Sequence, residues 1–513
     1  VSLASDASEL GRLRLALSEL IGFAFEGDRL EQLEHTARAR AAELSLPGLD
    51  AYVERLRVPE FQRLELTRLA EALTVTETFF YRNADQIRAL VETVLPERVR
   101  RGGQRLRILC AGCASGEEPY SLAIALRESV PELESWNVQI LGVDVNRALL
   151  AKAASARYTP WSLRATPDAI RARYFERSGS EFVLDPSVAK MVTFRAQNLA
   201  ERDPLFFRAL ACDVIFCRNV LMYFTPEVTT RVVQHLTEAL LPGGYLFLGQ
   251  SETLRGLSHD YHLLHTHNAF YYQRREPTTL PPPRSSSRPP PAPELFALPD
   301  ALEASGSWFD AIQRASNRVT EITTGEARPN AAPGTPARVP ASASEAQTDL
   351  GAVLELVQRE RFAEARGLLE RLPAEASKHP DALLFSAVLL TNAGALADAE
   401  RVSGALLAAD ELNAGAHYVK ALCREHAGDV PGAIEHDTIA VHLDPSFAMP
   451  HLHAGLVARR TGDGALARRE LSEALVLLER EDPSRLVLFG GGFSRAALTM
   501  LCRAELSKLE GIG

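Results

Sequence analysis

The sequence predicts an α/β core, with helices before it and an all-α array after it, on three observations. Leu106 to Leu126, LRILCAGCASGEEPYSLAIAL, reads as a strand, a glycine-bearing turn and a helix, with Gly112 and Gly116 as punctuation. Val138 to Val143 reads as a second strand that ends in Asp144. Far downstream, Gly394, Gly428 and Gly462 recur every 34 residues, as do Ala365, Ala399, Ala433 and Ala467. The first two observations describe an open, Rossmann-like parallel sheet. The third describes stacked helical hairpins, in which small residues let paired helices pack closely.

The turn after the first strand carries the chemistry. Pro119 lies in the first helical turn, where its missing N–H costs nothing. Backbone amides and a helix N-terminus there allow a ligand to approach closely. A third glycine is absent, however, and Glu117 and Glu118 stand where a pyrophosphate would lie. Two carboxylates argue against a dinucleotide and for a cofactor with positive charge and no phosphate, of which S-adenosylmethionine is the obvious candidate. Asp144, at the end of the second strand, is placed to accept from both ribose hydroxyls, each bond worth roughly 1.5 to 3 kcal/mol. The alternative is that Asp144 caps the following helix, VNRALLAKA.

Before this core, residues 1–92 read as a helical domain. Leu10, Leu13, Leu17 and Ile21 share one helical face, and Leu64, Leu66, Leu69 and Leu73 continue in the same style before Thr74. After Asp144 follow a helix from Arg147 to Ser155, alternating stretches at Glu181–Leu184 and Met191–Ala196, and a strand from Cys212 to Phe216. A helix from Pro226 to Leu240, a turn at Leu241–Gly244 and strands at Tyr245–Leu248 and Phe270–Gln273 complete the predicted sheet.

Composition sets the outer limits. The 513 residues suggest two to four domains with sizeable cores, at 46% hydrophobic content. A net charge of −10 makes general nucleic-acid binding unexpected. With no signal sequence and no apolar run approaching ~20 residues, a cytoplasmic location without membrane insertion is expected. The six cysteines are scattered, as for reduced thiols. Cys110 and Cys113 form a CxxC with no second pair or histidine cluster, so no metal is expected there.

Five stretches together resemble one family. GCASGEEPYSLA, GVDVN, Gln197-Asn198-Leu199, Ile215 to Phe224 (IFCRNVLMYF) and, upstream, Thr76 to Arg82 (TETFFYR) are similar in order and spacing to the motifs of CheR, the chemoreceptor glutamate O-methyltransferases. The resemblance runs over roughly residues 10 to 275. It implies a Rossmann-like SAM-dependent methyltransferase domain at 93–275, with a small antiparallel β-subdomain at about 156–197. It also implies transfer of the methyl group of S-adenosyl-L-methionine to glutamate side chains on the cytoplasmic helices of chemoreceptors, leaving S-adenosyl-L-homocysteine. Thr76, Thr78 and Arg82 then fall beside the methionine part of the cofactor and its methyl group. Asn198, Leu199, Arg218 and Asn219 fall at the adenosine and amino-acid contacts, and Gly112, Glu118 and Asp144 complete the cofactor-binding set. Arg82 and Tyr223 are the residues expected at the chemistry. The family's helical domain docks on its receptor through a positive face, whereas Val1 to Ala72 carries nine arginines, no lysine and thirteen acids. Members that grip a receptor tether have a longer glycine-containing loop than Ser178-Gly179-Ser180, so tether binding is not expected here. Methylation of another protein or a small carboxylate, or a scaffold that has lost activity, are the alternatives.

From Pro277 the composition changes to PPPRSSSRPPPAP, which can bury nothing, so 276–347 reads as an extended linker. Trp308, Phe309 and Ile312 mark one short helix within it. The 34-residue period at 348–482 is that of tetratricopeptide (TPR) repeats, read as four hairpins with 483–513 as a tail and capping helix. Such an array implies a protein or peptide partner. His417, His442, His451 and His453 show no accompanying cysteine or acid pattern.

Overall fold

The computed structural model describes residues 9–25, 28–74, 77–100, 104–130, 133–201, 204–276, 350–357, 361–373, 376–490 and 493–510. The Trp308 to Ile312 helix expected in the linker lies outside them. Packing divides the chain into two compact units, Val1–Thr279 and Leu280–Gly513.

In the first unit, helices Glu9–Ile21, Asp28–Glu43, Leu49–Leu56 and Pro59–Leu73 pack together over Leu13, Leu17, Leu33, Tyr52 and Leu69. Leu64, expected on the buried face, is 72% exposed, while Leu69 and Leu73 further along the same helix point inward. One polar group enters this small core: Glu65 accepts from the Tyr52 hydroxyl at 2.9 Å and from Arg40 at 2.6 Å. Phe80, Ile87, Leu90 and Leu95, by contrast, belong to the core beneath the sheet.

The seven-stranded sheet has the order β6-β2-β1-β7-β8-β10-β9. Its strands are β1 (Arg105–Ala111), β2 (Asn137–Asp144), β6 (Val192–Ala196), β7 (Cys212–Cys217), β8 (Leu240–Leu248), β9 (Tyr261–Thr266) and β10 (Ala269–Arg274). The pairings from β6 to β8 are parallel, and β10 and β9 add an antiparallel edge. The chain runs outward from β1 to β6 and then returns to β7 beside β1. That reversal opens a crevice at the carboxyl ends of β1 and β7, the usual ligand position in such sheets.

Three expectations change. The strand near 191–196 is the edge of the main sheet, paired with β2, and not part of the small subdomain. Its Phe194 ring packs where Gly142 and Gly116 have no Cβ, since an added methyl would approach the ring to 2.8 and 3.1 Å. The small antiparallel sheet is therefore β3 (Arg157–Tyr158), β5 (Glu181–Leu184) and β4 (Phe175–Ser178), in that order. The Pro242-Gly243-Gly244 turn is instead an irregularity inside β8, between the pairs Cys212↔Leu240 and Val214↔Tyr245. Finally, β9 has no clear alternation in YHLLHT and was not expected; it is held by six pairs to β10 and by His265 stacked on Phe270 at 4.2 Å.

The second unit is a TPR array. Its helices pair as Pro380–Asn392 with Leu396–Ala409, Ala414–His426 with Val430–Leu443, and Ala448–Thr461 with Gly464–Leu478, preceded by helical residues 350–357 and Phe362–Leu369. The periodic glycines have a physical cause: Gly394, Gly428 and Gly462 adopt φ of 74°, 80° and 88°, the left-handed conformation that ends the first helix of a hairpin. The periodic alanines are fully buried where two helices touch. Helices Pro483–Phe489 and Arg495–Glu510 close the array, the second lying along Gly464–Leu478 with Leu498 and Cys502 inward. His451 and His453 do have acid partners, which sequence spacing concealed. His453 lies between Asp437 at 2.6 Å and Glu425 at 2.7 Å, and His451 faces Glu470 at 2.7 Å. Burial pushes the Asp437 carboxyl up to about 6.

Candidate active site

The turn after β1 is built by its backbone. Gly112 has φ of 78°, and a Cβ there would meet Val220 Cγ2 at 2.4 Å, so only glycine fits. The amides of Gly112 and Cys113 donate to Val143 O at 2.8 and 3.0 Å, which ties β1 to the end of β2. Ala114, also left-handed at φ 48°, donates its N–H to Asp144 Oδ2 at 2.9 Å. Asp144 Oδ1 accepts from the Asn146 N–H at 2.8 Å, and Asn146 in turn caps the helix Arg147–Ser155 by accepting from Leu149 N at 3.0 Å. Capping thus belongs to Asn146, which leaves Asp144 at the strand end facing the crevice. Burial raises its carboxyl pKa against the opposing pull of these amides.

The adjacent pair of acids is divided by the helix. Neighbouring positions differ by about 100° around an α-helix. Glu117 is 1% exposed, accepts from Ser115 Oγ at 3.0 and 2.8 Å, and is pushed up by burial. Of this pair, Glu118 alone lines the crevice. It accepts from Arg218 Nε at 2.5 Å.

Arg218 and Asn219 leave the end of β7. Arg218 is 9% exposed, and its Nη1 donates to the Arg82 carbonyl at 2.7 Å and to Gln86 Oε1 at 3.1 Å. It is a positioning residue as well as a lining one, because it fixes the segment that carries Arg82. That segment's Arg82 donates Nη1 to Glu77 O at 2.9 Å, with its guanidinium 5.8 Å from the Phe79 ring.

Two contributors were missed in the sequence. Glu252, 5% exposed, accepts from four backbone amides: Asn219 and Gly249 at 2.7 Å, Val220 at 2.8 Å and Met222 at 3.3 Å. It is the buried clamp on the loop between Asn219 and Tyr223. The signal available was an acid three residues beyond a glycine that closes a strand, in Gly249-Gln250-Ser251-Glu252. Glu252→Ala leaves these amides without their acceptor, at ~1 to 3 kcal/mol for a buried unpaired group. We expect urea unfolding to show a loss of about 2 to 4 kcal/mol, and calorimetry to show weaker cofactor binding. The second contributor is Arg29, whose guanidinium lies 4.7 Å from the Tyr223 ring and 5.5 Å from that of Phe23. Around it, Ala24 N donates to Tyr223 O and Thr225 N to Gly22 O, both at 2.9 Å, so Phe23 and Phe224 form a short antiparallel bridge. Burial lowers the Arg29 pKa.

These walls enclose a crevice with two halves that share Gly112, Ala114, Asn219 and Tyr223. The larger, about 650 Å³, is lined by Asp144, Asn198, Leu199 and apolar side chains such as Leu149 and Phe224. The other, about 570 Å³, is polar, with Glu77, Thr78, Arg82, Glu118 and Arg218. An apolar half for a base, an acid within it bonded to the shared Ala114 for hydroxyls, and a charged half for an amino acid fit S-adenosylmethionine. Asn198 Oδ1 is engaged by Ala200 N at 2.9 Å, which orients its amide. Every expected site residue lines one half or the other except Thr76, which lies outside the described residues. Cys113 also borders the polar half, but burial pushes its thiol well up, as it does that of Cys110. Neither is therefore a thiolate that would compete for a methyl group.

A parallel sheet with this turn, this acid and this divided crevice defines a methyltransferase that uses S-adenosylmethionine as methyl donor. The chain belongs to the CheR family: the family described as CheR methyltransferase, SAM binding domain, matches residues 76–270. It is 38% identical to chemotaxis protein methyltransferase 2 of Vibrio cholerae, over 39% of this chain and 69% of that protein. It is 34% identical to chemotaxis protein methyltransferase 1 of Pseudomonas aeruginosa, over 43% of this chain and 80% of that one. Among solved structures, it is similar to a thermophilic TPR protein of Thermus thermophilus, with TM-score 0.25, 24% identity, and coverage of 32% of this chain and 91% of that one. Another is MamA of Desulfovibrio magneticus, with TM-score 0.23, 21% identity, and coverage of 27% and 79%.

Proposed function

We propose that the protein methylates glutamate side chains of chemoreceptors, forming methyl esters in chemotaxis adaptation, and that its TPR array governs activity or substrate choice. The observation that carries this reading is Arg82. It lines the polar half of the crevice and, among the described residues, forms no ion pair with any carboxylate. A cation presented at the opening suits an acceptor that brings a carboxylate.

S-adenosylmethionine supplies an electrophilic methyl group. The chain's task is then to bind and align. Asp144 holds ribose hydroxyls, Asn198 and Leu199 border the base, and Glu118, Arg218 and Asn219 frame the amino-acid end. A glutamate of ordinary pKa about 4.3 is already ionised at pH 7, so no general base is needed. Arg82 orients the carboxylate by a charge-assisted bond and Tyr223 borders its path. Alignment in a water-poor site supplies up to ~7 to 11 kcal/mol. An arginine that gripped too tightly would stabilise the ground state, so its contribution is positional.

The test is incubation of the protein with labelled cofactor and receptor cytoplasmic fragments. Base-labile methyl esters on receptor glutamates support the reading; labelled receptor with no ester, or no label at all, removes it. The same assay addresses the array. A chain ending near Arg275 retains every described site residue, so it should fold, bind cofactor within about threefold of the full chain and methylate. Loss of residues 348–513 should change the rate or the pattern of methylation on intact receptor in the presence of cellular partners, by removing a tether or a cover. Identical rates and sites for both chains would rule out a regulatory array.

A further inference from the structure

The polar half of the crevice continues outward along stacked rings and guanidinium groups. Arg164 lies 3.8 Å over the Phe79 ring and 4.3 Å over Trp161, while Arg82 approaches the same Phe79 ring at 5.8 Å. Trp161 is held in the short turn Pro160–Leu163, which is anchored to the catalytic segment by Phe80 N donating to Ser162 O at 2.9 Å. Trp161 is nonetheless 69% exposed. Met222, the sequence neighbour of Tyr223, is 58% exposed. Among the described residues Arg164 has one acid partner, Glu77, at 3.4 Å, and the Glu77 side chain is itself 66% exposed. An exposed pair of that length is worth about 0 to 1 kcal/mol, so another carboxylate displaces it readily.

We propose that this lip selects an acceptor helix bearing two carboxylates one turn apart, the first presented to Arg82 for methylation and the second held by Arg164. The exposed Trp161 and Met222 seat apolar side chains of the acceptor. The spacing is one the geometry allows. Two guanidinium groups lie 5.8 and 3.8 Å from the centre of one ring, so they are within about 10 Å of each other, a span that acids at i and i+3 or i+4 of a helix, with Cβ atoms about 5 to 6 Å apart and flexible carboxylates, can bridge. A small carboxylate would fill the crevice without using the exposed Trp161 ring, which does not line it, whereas a folded helix offers neighbouring side chains to that ring. The proposal rests on the glutamate reading above and names the surroundings that the acceptor must have.

The experiment uses the full chain and two helical peptides that differ only in having Glu or Gln four residues from the acceptor glutamate. Binding is read by fluorescence anisotropy of labelled peptide, transfer by KM and kcat, and cofactor affinity by calorimetry. The wild type should prefer the two-acid peptide about tenfold in Kd and KM. Arg164→Ala should erase that preference chiefly through KM, with cofactor affinity retained, and Trp161→Ala should weaken both peptides alike. Arg164→Glu should prefer a peptide with lysine at the second position. If the wild type methylates both peptides equally, or Arg164→Ala keeps the preference, the proposal falls and the glutamate reading stands. If the wild type binds cofactor and methylates neither peptide nor any receptor fragment, both fall.

Discussion

Asp144→Ala is expected to bring S-adenosylmethionine affinity below calorimetric detection while the protein still unfolds cooperatively. The carboxylate has two tasks that alanine cannot share. It lines the larger half of the crevice, where the proposed ribose hydroxyls need an acceptor, and it fixes the left-handed Ala114, which both halves share, and the Asn146 cap through amides at 2.9 and 2.8 Å. Loss of two charge-assisted bonds at roughly 1.5 to 3 kcal/mol each corresponds to a 10²- to 10⁴-fold change in affinity. The cost to folding is smaller, because the residue lies at a strand end and borders open space, so about 1 to 2 kcal/mol is expected by urea unfolding. Asp144→Asn keeps one acceptor oxygen and should retain weak binding. Near-native affinity in the alanine variant would move the ribose site elsewhere.

Arg82→Ala should lower turnover about 10²-fold, the scale of a misplaced reacting group, with cofactor affinity changed less than about threefold. The separation is built into the contacts. Arg218 holds the Arg82 carbonyl, not its side chain, so the segment remains anchored when the guanidinium is removed. Arg82→Lys keeps the charge but loses the planar fork and the stacking on Phe79, and should fall between the two. Single-turnover measurements with saturating cofactor and calorimetry on the same preparation decide the matter. Equal binding together with equal turnover would leave Arg82 a surface residue without a part in the reaction.

Much of this was legible in the chain because the relevant physics is local. Gly112 announces a turn, Asp144 ends a strand, and the 34-residue spacing of Gly394, Gly428 and Gly462 follows from one left-handed residue per hairpin. What escaped reading depends on distant partners. Glu252 looks like any polar residue in a loop until β8 is placed beside β7 and four amides converge on it. Arg29 gains its place only when the N-terminal helices meet Tyr223. Glu117 and Glu118 are indistinguishable as neighbours in a string, and separate only when helical rotation sends one inward. The strand at 191–196 joined the larger sheet because Phe194 needed the hollow left by two glycines, a fit that alternation alone does not encode. His453 likewise met Asp437 and Glu425 across helices 16 and 28 residues away.

The bridge between Phe23 and Phe224 gives the amino-terminal helices a grip on the Tyr223 wall of the crevice. Its two amides, Ala24 and Thr225, come from segments about 200 residues apart yet close a single ring of backbone bonds around Phe23 and Phe224 that includes the Tyr223 carbonyl. In hydrogen-exchange terms they form one opening unit, so neither can trade its proton for deuterium without the other being released. Their protection factors should therefore rise and fall together, and any ligand that stiffens the Tyr223 loop should slow exchange in the helix Glu9–Ile21 as well.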